Sequence, residues 1–239
     1  MNPRVPPSGS RTVGAGPGTD RRAPAEGRSA AMRIGIIGSG HIGGTLTRRL
    51  RALGHDVVVT NSRGPQSLGD LAAETGAMAG TLEETVQGAD LVVLAVPVKV
   101  VPDLPADLFD GALVADANNY YPQRDGDIGE LLDRSLSSSR WTAEHLKGAR
   151  VVKVFNNIQA AHLMDLGRSA GAPDRIALPV AGDDPDAKRL VMQLVDELGF
   201  EPVDAGSLDE SWRQQPGSPV YGTDRDADGV RQGLAGARP

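Results

Sequence analysis

Gly38, Gly40 and Gly43 stand in G-x-G-x-x-G spacing within the stretch MRIGIIGSGHIGGTLTRRLRALGHDVVVTNSR, from Met32 to Arg63. Glycines so spaced shape a chain for a phosphate ligand. Gly38 permits a tight turn out of a strand, Gly40 lets backbone approach a pyrophosphate with no Cβ between them, and Gly43 lets helix and strand pack closely. The free N–H groups that open the helix then face the phosphates. At the far end of the stretch come Asn61, Ser62, Arg63 and Gly64, where an NAD-specific protein carries a carboxylate for the ribose 2′-hydroxyl. A hydroxyl followed by a guanidinium suits a 2′-phosphate instead, and the guanidinium plane can lie on the adenine. NADP(H) is the expected cofactor.

Other chemistry is sparse. The chain has no cysteine, which excludes disulfides, thiolate nucleophiles and Cys-ligated zinc. Its four histidines, His41, His55, His145 and His162, share no metal-ligand spacing, so no metal is expected. His41 lies in the glycine loop and is a weak candidate for a proton role. Lys153, inside an apolar strand, reads as a buried or edge-paired lysine, with proton donor as the less favoured alternative. Asn156 and Asn157 stand at the carboxyl end of that strand; they either hydrogen-bond a nicotinamide carboxamide or substrate carbonyl, Asn157 being a weak catalytic candidate, or cap the next helix. No G-x-S-x-G, H-E-x-x-H or G-x-x-x-x-G-K-[ST] is present, so hydrolase, zincin and P-loop readings fall away. Hydride transfer needs none of these groups, because the cofactor carries the chemistry.

The elements that must position these residues follow from periodicity. Arg33 to Ile37 is a short β-branched strand, Ile42, Leu46, Leu50 and Leu53 mark a helix, and His55 to Thr60 is a second strand. A helix is expected over Pro65 to Thr75, a strand over Ala77 to Gly80, and a helix over Thr81 to Gln87 with a Thr-x-x-Glu capping box. Further strands are expected at Leu91 to Val96, ended by Pro97, at Ala112 to Ala117, followed by Asn118 and Asn119, and at Val151 to Asn157. Tyr120 to Ser139 reads as a loop with one helical turn, and Trp141 to Leu146 as a helix. Gln159 to Leu166 is helical, Arg175 to Ala181 a strand, Pro185 to Leu198 a helix, and Phe200 to Asp204 closes the sheet. The fourth strand comes after the crossover, so Val96 and Pro97 fall at the topological switch point where open α/β sheets bind ligands.

The expected fold is therefore α/β: a Rossmann-type, doubly wound, mostly parallel sheet of about eight strands, a single domain with a short irregular C-terminal extension. Residues 32–206 form the NADP-binding domain and 207–239 a strap or lid. Residues 1–31, rich in Pro, Gly, Ser and Arg, are expected to form a disordered tail, and deletion of residues 2–31 is expected to leave folding and cofactor affinity intact. At 239 residues, with 39% hydrophobic and 3% aromatic side chains, the chain can bury an aliphatic core. A net charge of -6 argues against nucleic acid as a partner. No stretch is apolar enough to span a bilayer, so no membrane partner is expected and the cytoplasm is the expected compartment. A homodimer is expected from symmetry preferences alone.

MRIGIIGSGHIGGTL, NSRGP, LVVLAVP, KVFNNI and PVAGDDPDAKRLVMQLVDELGFEPVDAG together resemble the NADP-dependent reductases of the deazaflavin coenzyme F-420, and are similar to the NADPH-binding reductase module of the STEAP metalloreductases. The match is collinear over about residues 32 to 206. The resemblance implies a pyrophosphate over Ser39, Gly40, His41 and Ile42, a 2′-phosphate on Ser62 and Arg63, and a nicotinamide near Val96 and Pro97, bordered by Asn156, Asn157 and Ala160. It implies hydride exchange with coenzyme F-420 or a flavin as co-substrate. The chain departs at SLDESWRQQPGSPVYGTD, where the family continues into a helical segment. Trp212, Arg213, Gln215 and Tyr221 are expected there as a lid over the nicotinamide or as a packed strap. The resemblance implies a deazaflavin or flavin as the small-molecule redox acceptor; the alternatives are an imine or keto reductase of a small substrate and a non-catalytic NADP-binding sensor.

Overall fold

Eight strands make one sheet in the order β3-β2-β1-β4-β5-β6-β7-β8. In this computed structural model, which describes Met1 and residues 30–238, they are β1 (Arg33–Ile37), β2 (Asp56–Thr60), β3 (Met78–Ala79), β4 (Leu91–Leu94), β5 (Leu113–Asp116), β6 (Arg150–Lys153), β7 (Ala177–Gly182) and β8 (Glu201–Asp204). β1 to β6 pair in parallel, β7 runs antiparallel to β6, and β8 runs parallel to β7. β1 lies between β2 and β4, with Ile36 in register with Val59 on one side and Val93 on the other. The crossover from β3 to β4 reverses the direction in which strands are added, so ligand-binding loops gather at the carboxyl ends of β1 and β4.

The helices are α1 (His41–Leu53), α2 (Gly69–Thr75), α3 (Leu82–Val86), α4 (Pro122–Asp125), α5 (Gly129–Leu132), α6 (Ser138–His145), α7 (Ala160–Asp165), α8 (Pro185–Glu197) and α9 (Ala227–Gly236). Both sheet faces are covered, which is why β4 and β5 carry continuous apolar runs. Leu46 and Leu50 of α1, Leu163 of α7 and Val191, Leu194 and Val195 of α8 share one core with Ile34, Ile36 and Val93. Val86 of α3 and Trp141 of α6 share the opposite core with Ile37, Val92 and Val114. α3 starts with the expected capping box: Glu84 N–H donates to Thr81 Oγ1, and Thr81 N–H to the Glu84 carboxylate. Among the described residues no helix is long and apolar enough to cross a membrane.

Several boundaries differ from the sequence expectation, each for a local reason. β4 stops at Leu94 because the next donors leave the ladder: Ala95 N–H still reaches Ile37, but Val96 N–H is taken by the Asn118 side chain at 2.8 Å. β6 stops at Lys153 because Phe155 adopts a left-handed φ of 60°, which ends the extended run before the asparagines. Pro65–Leu68 forms a 3-10 turn ahead of α2. The segment after Ala205 contains a 3-10 turn, Leu208–Gln214, and then α9. Asp226 caps α9 by accepting from Gly229 N–H at 2.8 Å, while Val230 and Leu234, one turn apart, bury against Ala177, Ala181 and Val203. The N-terminal expectation falls on residues that, up to Ser29, lie outside those described.

Candidate functional site

The glycine loop is built as its spacing requires. Gly38 has φ of +105°, and a Cβ there would sit 2.2 Å from the Ala95 carbonyl oxygen; one on Gly43 would sit 1.8 Å from the Gly38 carbonyl oxygen. Gly40 is different: a Cβ would meet nothing within 4 Å, so what it would fill is open space in front of the loop. α1 starts there with no side-chain cap and no acidic residue in its first turn. Its first N–H groups have no helical acceptor and carry the positive end of the helix dipole, which suits a pyrophosphate. His41 and Ile42 do not line the cleft with their side chains: the His41 side chain is exposed, and Ile42 packs on the core.

Asn61 fixes the second wall. Its amide donates to Ser39 Oγ at 2.9 Å and to Ser67 Oγ at 3.0 Å, and its Oδ1 accepts from Arg63 N–H at 2.9 Å. This Asx turn ties the β2 exit to the glycine loop and leaves Ser62 and Arg63 exposed. Arg63 has no acidic partner among the described residues. An unpaired guanidinium and a hydroxyl on one turn form a ready dianion site.

These walls enclose one cleft of about 670 Å³. Gly38, Ser39, Gly40, Ser62, Arg63, Val96 and Pro97 all line it, and Leu82, Val100 and Leu104 form an apolar side. The structure therefore brings together the glycine loop, the Ser-Arg pair and the β4 exit. Asn61 and the apolar side were not singled out as site residues from the sequence; the Asn two residues before Arg63 was the available signal, because Asx turns bond two residues onward.

Behind Val96 lies a buried polar relay. Lys153 is fully buried; its ammonium sits 3.5 Å from Asp116 Oδ2, 3.4 Å from Ser138 Oγ, and donates to the Asn118 carbonyl. Asp116 also accepts from Ser139 Oγ at 2.5 Å and from Asn118 N–H at 3.0 Å. Burial pushes the Lys153 ammonium's pKa below the ordinary lysine value, with Asp116 opposing that shift. Asn118 in turn accepts from Val96 N–H, so the pair holds the backbone of the cleft's far wall. Lys153 is the buried, paired lysine of the two sequence readings.

Asn156, Asn157 and Ala160 are not brought into the cleft. Asn156 is buried; it donates to Asn119 Oδ1 at 3.0 Å and to the Gln214 carbonyl at 2.7 Å, and accepts from Gln214 Nε2 at 3.0 Å. The Asn157 carbonyl accepts from Gly222 N–H at 2.9 Å. Neither caps α7, whose N-cap position is held by Gln159 without a side-chain bond, and Ala160 is the first residue of that helix. The polar groups at the β6 exit are used to fasten the C-terminal segment, which packs as a strap. Gln215 accepts from Ser138 N–H at 2.6 Å, the Tyr221 and Tyr121 hydroxyls are in contact, and Trp212 lines a separate pocket with Arg213 5.5 Å from its ring centroid.

A model of the family described as NADP oxidoreductase, coenzyme F420-dependent, matches residues 33–120. Metalloreductase STEAP3 of Rattus norvegicus is 31% identical over 181 residues, which are 74% of this chain and 34% of that protein. The chain thus spans less than half the length of the curated relatives it matches first. Among solved structures, a hypothetical protein, SMa0349, from Sinorhizobium meliloti superposes with TM-score 0.71 and 33% identity over 82% of this chain and 95% of its own. A protein from Arthrobacter sp. FB24, described as a putative F420 dependent NADP-reductase, superposes with TM-score 0.64 and 25% identity over 77% of this chain and 88% of its own. Residues 33–120, which hold the glycine loop, the Ser-Arg turn and the β4 exit of this one cleft, thus match the family described as NADP oxidoreductase, coenzyme F420-dependent.

Proposed function

We propose that the protein exchanges a hydride between NADP(H) and a deazaflavin- or flavin-type acceptor. The observation that carries the reading is the single cleft in which Ser62 and Arg63, the glycine loop and Val96 with Pro97 follow one another as 2′-phosphate, pyrophosphate and nicotinamide do along the cofactor. The open space before Gly40 and the uncapped start of α1 fit a pyrophosphate. When bound, NADP(H) supplies or receives the hydride. The chain's own part is to bind and orient: Arg63 meets the 2′-phosphate, α1 meets the pyrophosphate, and the relay through Asn118 keeps the Val96 wall in place. The acceptor class is supported by the family's description and by the Arthrobacter relative's.

The decisive measurement is NADPH oxidation with a deazaflavin, FMN, FAD and a set of imines and ketones as acceptors. Turnover with the deazaflavin or a flavin supports the proposal, and turnover with imines or ketones alone overturns it. A second reading is a NADP-binding sensor, which the cleft also suits: its titratable lining side chains are only Arg63 and Asp103 among the described residues. Tight NADPH binding without oxidation by any acceptor would establish it.

Arg63→Ala is expected to weaken NADPH by roughly 10- to 150-fold, the equivalent of about 1.5–3 kcal/mol for a hydrogen bond to a charged group, while NADH affinity stays within a factor of about two. Titration calorimetry with both cofactors reads this directly. Equal loss for both would remove Arg63 from the 2′-phosphate.

A further inference from the structure

A second pocket, of about 380 Å³, shares no lining residue with the cofactor cleft. Its size falls within the range of small-molecule sites. It lies between the loop that follows α5, including Arg134, Ser135 and Leu136, and the strap, which contributes Trp212, Gln215 and Ser218, with Arg238 beside them.

Its charge is unusual for a protein of net charge -6. Among the described residues neither Arg134 nor Arg238 has a hydrogen bond or an ion pair. The one acid lining the pocket, Asp209, is already bonded to Arg140 Nε at 2.5 Å, and Arg140 also holds Asp183 at 2.6 Å. The neighbouring Asp133 is turned to its own loop, accepting from Ser135 N–H at 2.9 Å. Among the described residues the two guanidinium groups lining the cavity thus have no ion-pair partner, and its one acid is taken up by Arg140.

Two further features mark the place as built for a ligand. The Ser218 hydroxyl is buried with no hydrogen-bond partner, which leaves a polar group unsatisfied at the pocket wall. Arg134 is one of two non-glycine residues among those described with a positive φ, 61°. A left-handed backbone at a long side chain stores strain, and such strain concentrates at ligand clamps.

We infer that this pocket is an anion site for a small molecule carrying a phosphate or carboxylate group, held by Arg134 and Arg238, with its apolar part against Trp212 and Leu136. Guanidinium forks suit both oxyanions. The inference does not rest on the hydride acceptor.

The test is a titration of the full chain, saturated with NADPH so that the Arg63 cleft is filled, using inorganic phosphate in one arm and succinate in the other. The chain has two tryptophans, so the indole N–H resonances report separately. The Trp212 signal is expected to move saturably while that of Trp141, buried in α6, stays. Which arm responds tells whether the ligand is phosphorylated, carboxylated or selected by charge alone. Arg134→Gly removes the guanidinium and relieves the left-handed strain, so it is expected to keep or raise Tm while weakening the anion about tenfold or more. Arg238→Ala is expected to weaken it similarly, and Arg225→Ala, an exposed arginine outside the pocket, to leave it unchanged. No saturable shift below about 0.1 M, where screening alone takes over, overturns the site, as does binding that survives both substitutions.

Discussion

Asp116→Ala is expected to lower the stability of the protein by about 3–5 kcal/mol, read as a fall in the urea midpoint at unchanged slope. The reason is what it leaves behind. Lys153 and Asp116 are both fully buried, with the ammonium 3.5 Å from the carboxylate. Removing the carboxylate strands a cation among β5, β6 and α6 and also deprives Ser139 Oγ and Asn118 N–H of their acceptor. The double variant Asp116→Leu with Lys153→Met removes both charges and is expected to recover most of the loss, since a buried pair is often no better than apolar residues of similar volume. It does not restore function in full: Asn118 loses its anchor, so Val96 is less well placed and NADPH affinity falls several-fold. A double variant as unstable as Asp116→Ala would show that packing, and not the stranded charge, sets the cost.

The same pair gives a pH signature. Burial lowers the Lys153 pKa from its ordinary 10.5, so between the folded and unfolded values the unfolded chain holds the extra proton. Stability contributed by this group therefore rises as pH climbs through that window. Lys153→Met removes the term, and the difference between wild type and variant is expected to shift in favour of wild type as pH increases toward 10.5.

Two alanine substitutions three residues apart are expected to behave in opposite ways. In Gly43→Ala the new Cβ would lie 1.8 Å from the Gly38 carbonyl oxygen and 2.9 Å from its carbon. These are backbone atoms, so α1 must move off β1. Alanine gains about 1 kcal/mol in helix propensity, but overpacking against backbone costs about 3 kcal/mol or more, and the clash wins. Thermal unfolding should show it plainly, and cofactor affinity falls with the loop's shape. Gly40→Ala meets nothing within 4 Å and has an ordinary φ of -71°, so stability should change by no more than about 1 kcal/mol. Its NADPH affinity is nonetheless expected to drop about tenfold or more, because the methyl stands where the pyrophosphate approaches. Undiminished affinity in Gly40→Ala would place the phosphates elsewhere.

The strand and helix order was readable because the periods are strong. The apolar run LVVL reads as a strand buried on both faces, and Thr81 with Glu84 announces α3. Boundaries at the site were less readable, since they depend on who takes a backbone donor. Asn118, distant in sequence, captures Val96 N–H and ends β4. Phe155 turns left-handed and ends β6 before the asparagines that, on sequence alone, belonged to the cofactor or to a helix cap. α9 escaped notice because its sequence, ADGVRQGLAG, has weak helical propensity and becomes a helix through its seat on β7 and β8.

By itself the sequence carried the expectation of NADP(H). Three glycines at fixed spacing and a Ser-Arg pair at the end of β2 act through local geometry, and local geometry travels with the sequence. Tertiary structure alone decided how the polar residues at the β5 and β6 exits are used. Asn156 and Asn157 fasten the strap, Lys153 and Asp116 brace Val96, and Arg134 and Arg238 face a pocket formed by segments far apart in the chain. A side chain that can donate or accept will bond whichever partner the fold brings within about 3 Å, and no spacing in the sequence records that distance.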